Sequence, residues 1–570
     1  MLHRLLKTIS KLKIRIPIIV PGLGCGVLGM ALPKISINLG KYASTLLKAL
    51  EYRGYDSTGA AFLGEDKDKV ILLKDVGAPS TLVKTLGIEK QSGKIFCGQV
   101  RWATFGSVSK VNAQPHEVKC KRHLFGAHNG NITNTRELKV FLTKEGHTVL
   151  SDNDGEMLVH SVEHYFDIEL DKLKGEIDPE IRKACMRRAI IATAGQMVGS
   201  YAAVIVDPET QTSWAIKSGS SLYFGIGEID DMPFSLASSD LTAVLRFTKE
   251  LVNLREGEFV EYTSDYYQVY AFKKLKFKRL GKPNETYAAG DSIPTRAVHS
   301  KLRAEDVELL PDFEYFMEQE IYAQSESTGK LIKLFQGGSN SGKHMIKTIK
   351  EAAVEEYLTQ SMLEISGSST MEDKQARFDA LCESTEVETF IAQAQKSYSV
   401  IFDVAVKEDF DKKYFFSNEK NLFIELLGPE FDRKRLIVAK ALDSISESVD
   451  VTEFEHSVKD FVDLVKNTVR NQRNAYSIAC GTSFHATKIA SLFFNEIAQV
   501  EMIPILPGDF RGEYSNCIKD NDLIIGVSQS GETKDLIDIF NDIDSKNLNV
   551  SKVVLVNNMN STLGQEKSDV

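Results

Sequence analysis

Two short stretches carry residue types suited to covalent chemistry. Cys25-Gly26-Val27-Leu28-Gly29 sets a thiol at the head of an apolar, strand-like run, with a glycine beside it that lets a ligand approach closely. Gln99-Val100-Arg101-Trp102-Ala103-Thr104 offers a guanidinium whose planar fork matches a carboxylate. A thiol becomes a strong nucleophile once an adjacent base takes its proton. In a chain beginning at Cys25 that base would be the residue's own α-amino group, which titrates near pH ~8 when unperturbed. Cysteine alone is more often buried and inert, so the reading depends on what else converges on it. Asn129-Gly130, further on, reads by itself as a hairpin turn.

A second chemistry is written near the end of the chain. Gly481-Thr482-Ser483 follows the apolar run Tyr476–Cys480, and Ser528-Gln529-Ser530-Gly531-Glu532-Thr533 follows Asp522–Val527. Each loop opens a helical pattern, so backbone N–H groups and hydroxyls gather where anions bind. Either loop alone reads as simple N-capping. Two of them at successive strand ends favour a phosphate site.

The elements that must position these residues follow from periodicity. A helix is expected through Tyr42–Leu50, with further helices at 135–144, 155–165 and 180–194. Strands are expected at 60–63, 70–73, 95–100, 124–128, 201–206 and 212–216, which together suggest stacked sheets covered by helices. In the last hundred residues, strands at 476–480, 522–527 and 553–556 alternate with helices in the doubly wound pattern. Between the two regions, helices are expected at 344–365, 371–396, 434–446 and 453–468, with strand-like pieces at 399–402 and 422–425. That middle reads as a folded insertion, not a linker. Within it Gly337-Gly338-Ser339-Asn340-Ser341-Gly342-Lys343-His344 nearly spells a P-loop, but His344 stands where a magnesium-holding hydroxyl belongs. A Gly/Ser loop is the better reading.

Composition sets the limits. The 570 residues allow several domains, and 42% hydrophobic with 26% charged residues is ordinary for soluble protein. A net charge of -10 argues against a general nucleic-acid binder. The seven cysteines (25, 97, 120, 185, 382, 480 and 517) are scattered, so neither a disulfide framework nor a zinc site is expected. No apolar run approaches the ~20 residues of a membrane-spanning helix. Residues 1–24 are basic and lack acidic groups; an organellar presequence, a short propeptide and an upstream start codon all fit.

CGVLG, LEYRGYDSTGA, VRWATFG, VNAQPH, AHNGNITN, SDNDGE and SGSSLYFGIG, in that order, resemble the glutaminase domain of glutamine–fructose-6-phosphate aminotransferases. CGTS and SQSGET resemble the sugar isomerase (SIS) domain of the same family. The resemblance implies an α/β multidomain protein: an N-terminal-nucleophile αββα glutaminase domain at 25–325, then a doubly wound SIS domain at 471–570. A leader at 1–24 and a helix-rich insertion at 326–470 complete the expected division. It further implies Cys25 as nucleophile, with Asn129 and the Gly130 N–H as oxyanion donors. Arg101 and Asp154 would hold the glutamine carboxylate and ammonium, and Trp102 would gate an ammonia passage. Thr482, Ser483, Ser528, Gln529, Ser530 and Thr533 would bind the sugar phosphate.

The same resemblance implies glutamine and fructose 6-phosphate as substrates, no metal or organic cofactor, a homodimer, and a cytoplasmic site of action, or an organellar one if the leader is a presequence. The sequence departs from the family pattern at Gln99 and Phe105, where histidines are usual, and in SDNDGE, where SxTDTE is commoner. It stops at Val570 inside the first of the family's two SIS domains, before the lysine, glutamate and histidine that perform isomerisation. A fragment, an interrupted gene model, or a gene split with its partner encoded separately is therefore expected. Three functions follow: the full aminotransferase, a glutaminase feeding a separate subunit, and a non-catalytic sensor of glutamine or sugar phosphate.

Overall fold

The computed structural model describes residues 25–102, 106–173, 175, 177–252, 254–277, 285–295, 297–300, 312–313, 316–368, 370–397, 415–416, 421–429, 431–529, 531, 533–557, 561 and 563–564. The leader and the strand candidate at 399–402 lie outside them.

The first region is built on strict alternation. Along the strand Gly26–Ser36, Val27 and Ala31 belong to one core while Leu28, Met30 and Leu32 belong to another. Along the strand Gly199–Asp207, Ala202, Val204 and Val206 face that first core while Tyr201, Ala203 and Ile205 face a third. A period of two that is apolar on both faces needs a cover on each side, and both sheets have one. The helix Leu39–Ala49 covers the first sheet. Helices Asp154–Asp171 and Pro179–Gln196 cover the second. The result is four layers, helix, sheet, sheet and helix, with the first core between the sheets.

Among the described residues the first sheet runs Ala297–His299, Glu250–Val252, Tyr223–Ile229, Met232–Ser238, Gly26–Ser36, Gly93–Arg101, Ser57–Leu63, Val70–Val76. The second runs Ser292–Ile293, Tyr267–Ala271, Glu258–Tyr262, Thr212–Ser218, Gly199–Asp207, Leu124–Ile132, His116–Val118. All their pairings are antiparallel. At Gly29 the sheets come so close that an added Cβ would lie 2.5 Å from the Tyr262 hydroxyl and 2.7 Å from Val204.

The middle is helical, around its own core of Met345, Leu358, Phe378, Phe390, Leu426 and Leu442. Its expected elements need correction. The helix foreseen at 344–365 is two, Asn340–Glu351 and Glu355–Ser366, because Ala353 turns left-handed (φ 56°) and the Val354 N–H closes back on the Ile349 carbonyl. The one foreseen at 371–396 breaks at an extended Ser384 into Met371–Glu383 and Glu388–Ser397. The strand-like 422–425 is helical, Leu422–Leu427, capped by the Asn421 side chain accepting from the Ile424 N–H at 3.0 Å. A short, fully buried apolar run carries no periodicity that separates strand from helix. The two helices at 434–446 and 453–468 are one, Arg433–Arg470, whose first third is buried in the middle core and whose Val465 packs under the final sheet.

The near-P-loop is a turn at Gly337 and Gly338 followed by a helix that Ser339 caps, accepting from the Gly342 N–H. Glu447 takes the place an anion would fill, accepting from the Ser339 N–H and hydroxyl at 2.8 Å each.

The last region is a parallel sheet in the order Met502–Ile505, Ala475–Ala479, Leu523–Ser528, Ser551–Val556. Its first connection runs to one side of Ala475–Ala479 and the next strand lies on the other side. The chain therefore reverses direction between Ala475–Ala479 and Leu523–Ser528.

Candidate active site

Register brings the first set of residues together. Gly26 pairs with Val100 and Val27 with Gln99, which sets Cys25 opposite Arg101. Alternation along Gly93–Arg101 turns Gln99 and Arg101 to the same face as Cys97, into the space between the sheets. Alternation along Leu124–Ile132 turns Asn129 to that same space, on the side of Phe125 and Ala127. Thiol, guanidinium and carboxamide thus share the mouth of the inter-sheet layer.

The Cys25 thiol is buried and donates to the Trp102 carbonyl at 3.3 Å. Burial pushes it up to about 11, and the Asp154 carboxylate adds to this while the Arg101 guanidinium pulls the other way. Arg101 is buried, its guanidinium donating to the carbonyls of Ser107 (3.0 Å) and Gly106 (3.4 Å). Burial lowers its affinity for a proton, while Cys25, Asp154 and Asp56 restore part of it. Trp102 is half-buried and meets Tyr55 edge to face at 5.2 Å. Gln99 is fully buried beside the thiol, which its side chain helps to lower, and among the described residues neither atom of its carboxamide has a well-formed hydrogen bond.

Asp154 opens the helix Asp154–Asp171, capped by the Asn153 side chain. Its carboxylate is buried, accepts from the Ile132 N–H at 3.0 Å and sits 3.1 Å from His128 Nε2. Burial raises the Asp154 carboxyl, but His128 and the Ile132 amide outweigh it and hold it below its ordinary value. His128 is itself clamped by Gln114, which accepts from the His128 N–H at 2.8 Å and donates to its carbonyl at 3.3 Å. Gly130 has φ 148°, and an added Cβ would lie 2.1 Å from the Ser200 carbonyl. Only glycine fits there.

The second set lies at the direction change of the parallel sheet. Thr482 and Ser483 stand in the first turn of the helix Gly481–Phe493, whose N-cap, Cys480, makes no side-chain bond to it. Ser528 ends the neighbouring strand, accepts from the Gly531 N–H at 3.0 Å and lies 2.7 Å from the Thr533 hydroxyl. Thr533 precedes the helix Lys534–Ser545 and likewise gives it no side-chain cap. Gln529 is exposed, and Ser530 lies outside the described residues. Ala479 pairs with Val527, so both loops leave the same edge of the sheet.

Comparison with known proteins matches a part of each of the two regions to a family. Residues 101–243 match the family described as glutamine amidotransferase domain, and residues 468–570 match the SIS domain. The chain joins a glutamine amidotransferase domain to an SIS domain. Proteins named glutamine–fructose-6-phosphate aminotransferase (isomerizing) are similar to it. That of Thermotoga maritima is 33% identical over 258 residues, 45% of this chain and 38% of the relative. Those of Pyrobaculum aerophilum (30%, 53% of this chain and 44% of the relative) and Aquifex aeolicus (29%, 58% and 49%) extend further. The chain spans less than half the length of these relatives. Among solved structures, the B. subtilis glutamine phosphoribosylpyrophosphate amidotransferase covers 44% of this chain and 49% of its own at 22% identity and TM-score 0.34. The C-terminal domain of the Francisella tularensis glucosamine-fructose-6-phosphate aminotransferase covers 45% and 88% at 10% identity and TM-score 0.16.

The amidotransferase domain has the N-terminal-nucleophile type of fold, with two antiparallel sheets, and the SIS domain has the parallel sheet, as its motifs led one to expect. Sequence reasoning passed over Gln114 and His128 as supports for Asp154. The signal was there in VNAQPH and AHNGN, but only the folded chain sets Gln114 against the strand that carries His128. No described helix is long and apolar enough to cross a membrane.

Proposed function

We propose that this chain carries the glutamine-hydrolysing half, and the first sugar-phosphate-binding part, of an enzyme that makes glucosamine 6-phosphate and glutamate from fructose 6-phosphate and glutamine. The observation that carries the reading is the convergence of Cys25, Arg101 and Asn129 on one inter-sheet mouth, with Asp154 within electrostatic reach of the thiol.

In this reading Arg101 takes the glutamine α-carboxylate and Asp154 its ammonium. The Cys25 thiolate attacks the side-chain amide carbon, and the oxyanion is held by the Asn129 carboxamide and the Gly130 N–H. The C–N bond breaks as the leaving nitrogen takes the proton that came from the thiol, releasing ammonia and leaving a thioester. Water then attacks the thioester, glutamate departs and the thiol is restored. A thiol raised to about 11 needs a base to ionise near neutral pH. A peptide nitrogen cannot serve, so catalysis requires a free α-amino group at Cys25. Trp102 gates the passage of ammonia. Thr482, Ser483, Ser528, Gln529, Ser530 and Thr533 cradle the sugar phosphate, supported by two adjacent helix N-termini that lack side-chain caps.

The test is glutamate release from glutamine by the chain beginning at Cys25, with and without fructose 6-phosphate. Hydrolysis abolished by Cys25→Ala supports the glutaminase. Hydrolysis absent from the chain beginning at Cys25 refutes it, and bound glutamine without turnover would then indicate a sensor.

A further inference from the structure

Behind the glutamine site, the far turns of the helix Asp154–Asp171 carry a cluster that glutamine hydrolysis does not use. His160 and Glu163 lie three residues apart on one face of this helix. His147 comes from the segment after the helix Thr135–Lys144, and Cys120 from the turn between strands His116–Val118 and Leu124–Ile132. One ligand atom from each of the four lies within 4.8 Å of every other. The two histidines and the glutamate are buried, and Cys120 is exposed at the lid. Sequence spacing hid this set, because its members are spread over three separate elements.

We propose that Cys120, His147, His160 and Glu163 form a tetrahedral site for a zinc-class divalent cation. The Nδ1 atoms of His147 and His160 both converge on Glu163 Oε2, each at 3.0 Å. Their other nitrogens already face acceptors: His147 Nε2 lies 3.3 Å from His164 Nδ1, and His160 Nε2 lies 3.7 Å from Glu156 Oε1. Both rings can therefore carry their proton on Nε2 and turn a free Nδ1 lone pair to the centre. That is the arrangement outer partners impose on metal-bound imidazoles. Glu163 Oε1 is fixed by the N–H groups of Lys121 (2.7 Å) and Arg122 (3.1 Å), which ties the Cys120 turn to the carboxylate. The Thr148 N–H donates to Cys120 Sγ at 3.2 Å, a bond that a thiolate accepts well. One thiolate, one carboxylate and two neutral imidazoles exactly balance a dication, and sulfur with nitrogen donors suits zinc better than magnesium or calcium.

Binding releases the thiol proton and the Nδ1 protons not relocated within each ring. The test is zinc titration of the full chain by calorimetry, with cobalt substitution as the optical readout. One zinc per chain is expected, with a thiolate-to-cobalt charge-transfer band and the visible absorption of a tetrahedral ion. Cys120→Ser, at an exposed position, should weaken zinc binding at least tenfold and abolish the charge-transfer band. His160→Gln should remove stoichiometric binding, with circular dichroism checking that the fold survives. A wild-type chain that takes up no stoichiometric zinc, or a Cys120→Ser chain that binds it equally well, would overturn the assignment and leave a hydrogen-bonded cluster.

Discussion

His128 Nε2 lies 3.1 Å from Asp154 Oδ2, and both side chains are buried where the second sheet meets its covering helix. The pair joins a strand of the second sheet to the first turn of its covering helix. It holds the Asp154 carboxyl low, ready to meet a cation. Replacing Asp154 by Asn should raise KM for glutamine about 10- to 100-fold and leave kcat less affected, the loss expected of one charge-assisted hydrogen bond. Steady-state glutamate release measures both.

In the proposed reaction the state of the Cys25 amino group decides the rate. The chain beginning at Cys25 should hydrolyse glutamine on the order of 10²–10⁴ times faster than one that keeps residues 1–24, the usual worth of a general base. Equal rates for the two chains, measured side by side with N-terminal sequencing, would show that the α-amino group is not the base.

At Gly130 the backbone has no room for a side chain. Gly130→Ala forces a Cβ against the Ser200 carbonyl from a left-sided φ, and should cost about 2–4 kcal/mol. Urea denaturation reads this as a lower midpoint with an unchanged slope.

The helical middle is joined to the first region by a network of ion pairs. Lys374 reaches Glu250 at 3.2 Å, His299 bridges Glu250 (2.6 Å) and Glu425 (3.3 Å), and Lys249 pairs with Glu425. Burial lowers the His299 imidazole, but Glu250 and Glu425 outweigh it and raise it above its ordinary 6.5. A raised folded value means stability that is fully present below the unfolded pKa and lost as pH rises through the folded one. The thermal midpoint of the wild type should therefore exceed that of His299→Gln most at pH below 6.5, and the gap should shrink with rising pH. A gap that grows with pH would contradict this.

In the SIS domain, Ser528 holds the loop through the Gly531 N–H and the Thr533 hydroxyl. Ser528→Ala should weaken binding of fructose 6-phosphate about tenfold, the net value of one or two hydrogen bonds. Calorimetry on the folded chain measures it.

Much of this was legible in the sequence. Alternation in Gly26–Ser36 and Gly199–Asp207 marks sheets buried on both faces, since a two-residue period fixes which side chains share a face. Strand, hydroxyl-rich loop and helix at 475–493 and 523–545 determine the parallel domain for the same local reason. The middle was legible only as helical. Its breaks at Ala353 and Ser384, the single helix Arg433–Arg470 and the helical Leu422–Leu427 are set by caps and by burial against other elements, which a short apolar run does not record. Residue types drew attention to Cys25 and Arg101, and the resemblance of the motifs named Asn129 and Asp154. What only tertiary structure decided was register: Gly26 against Val100 sets the thiol opposite the guanidinium, and the stacking of two sheets turns Asn129 toward both. The approach of Cys120, His147, His160 and Glu163 was likewise invisible beforehand, because contacts between distant segments depend on packing that spacing along a chain does not encode.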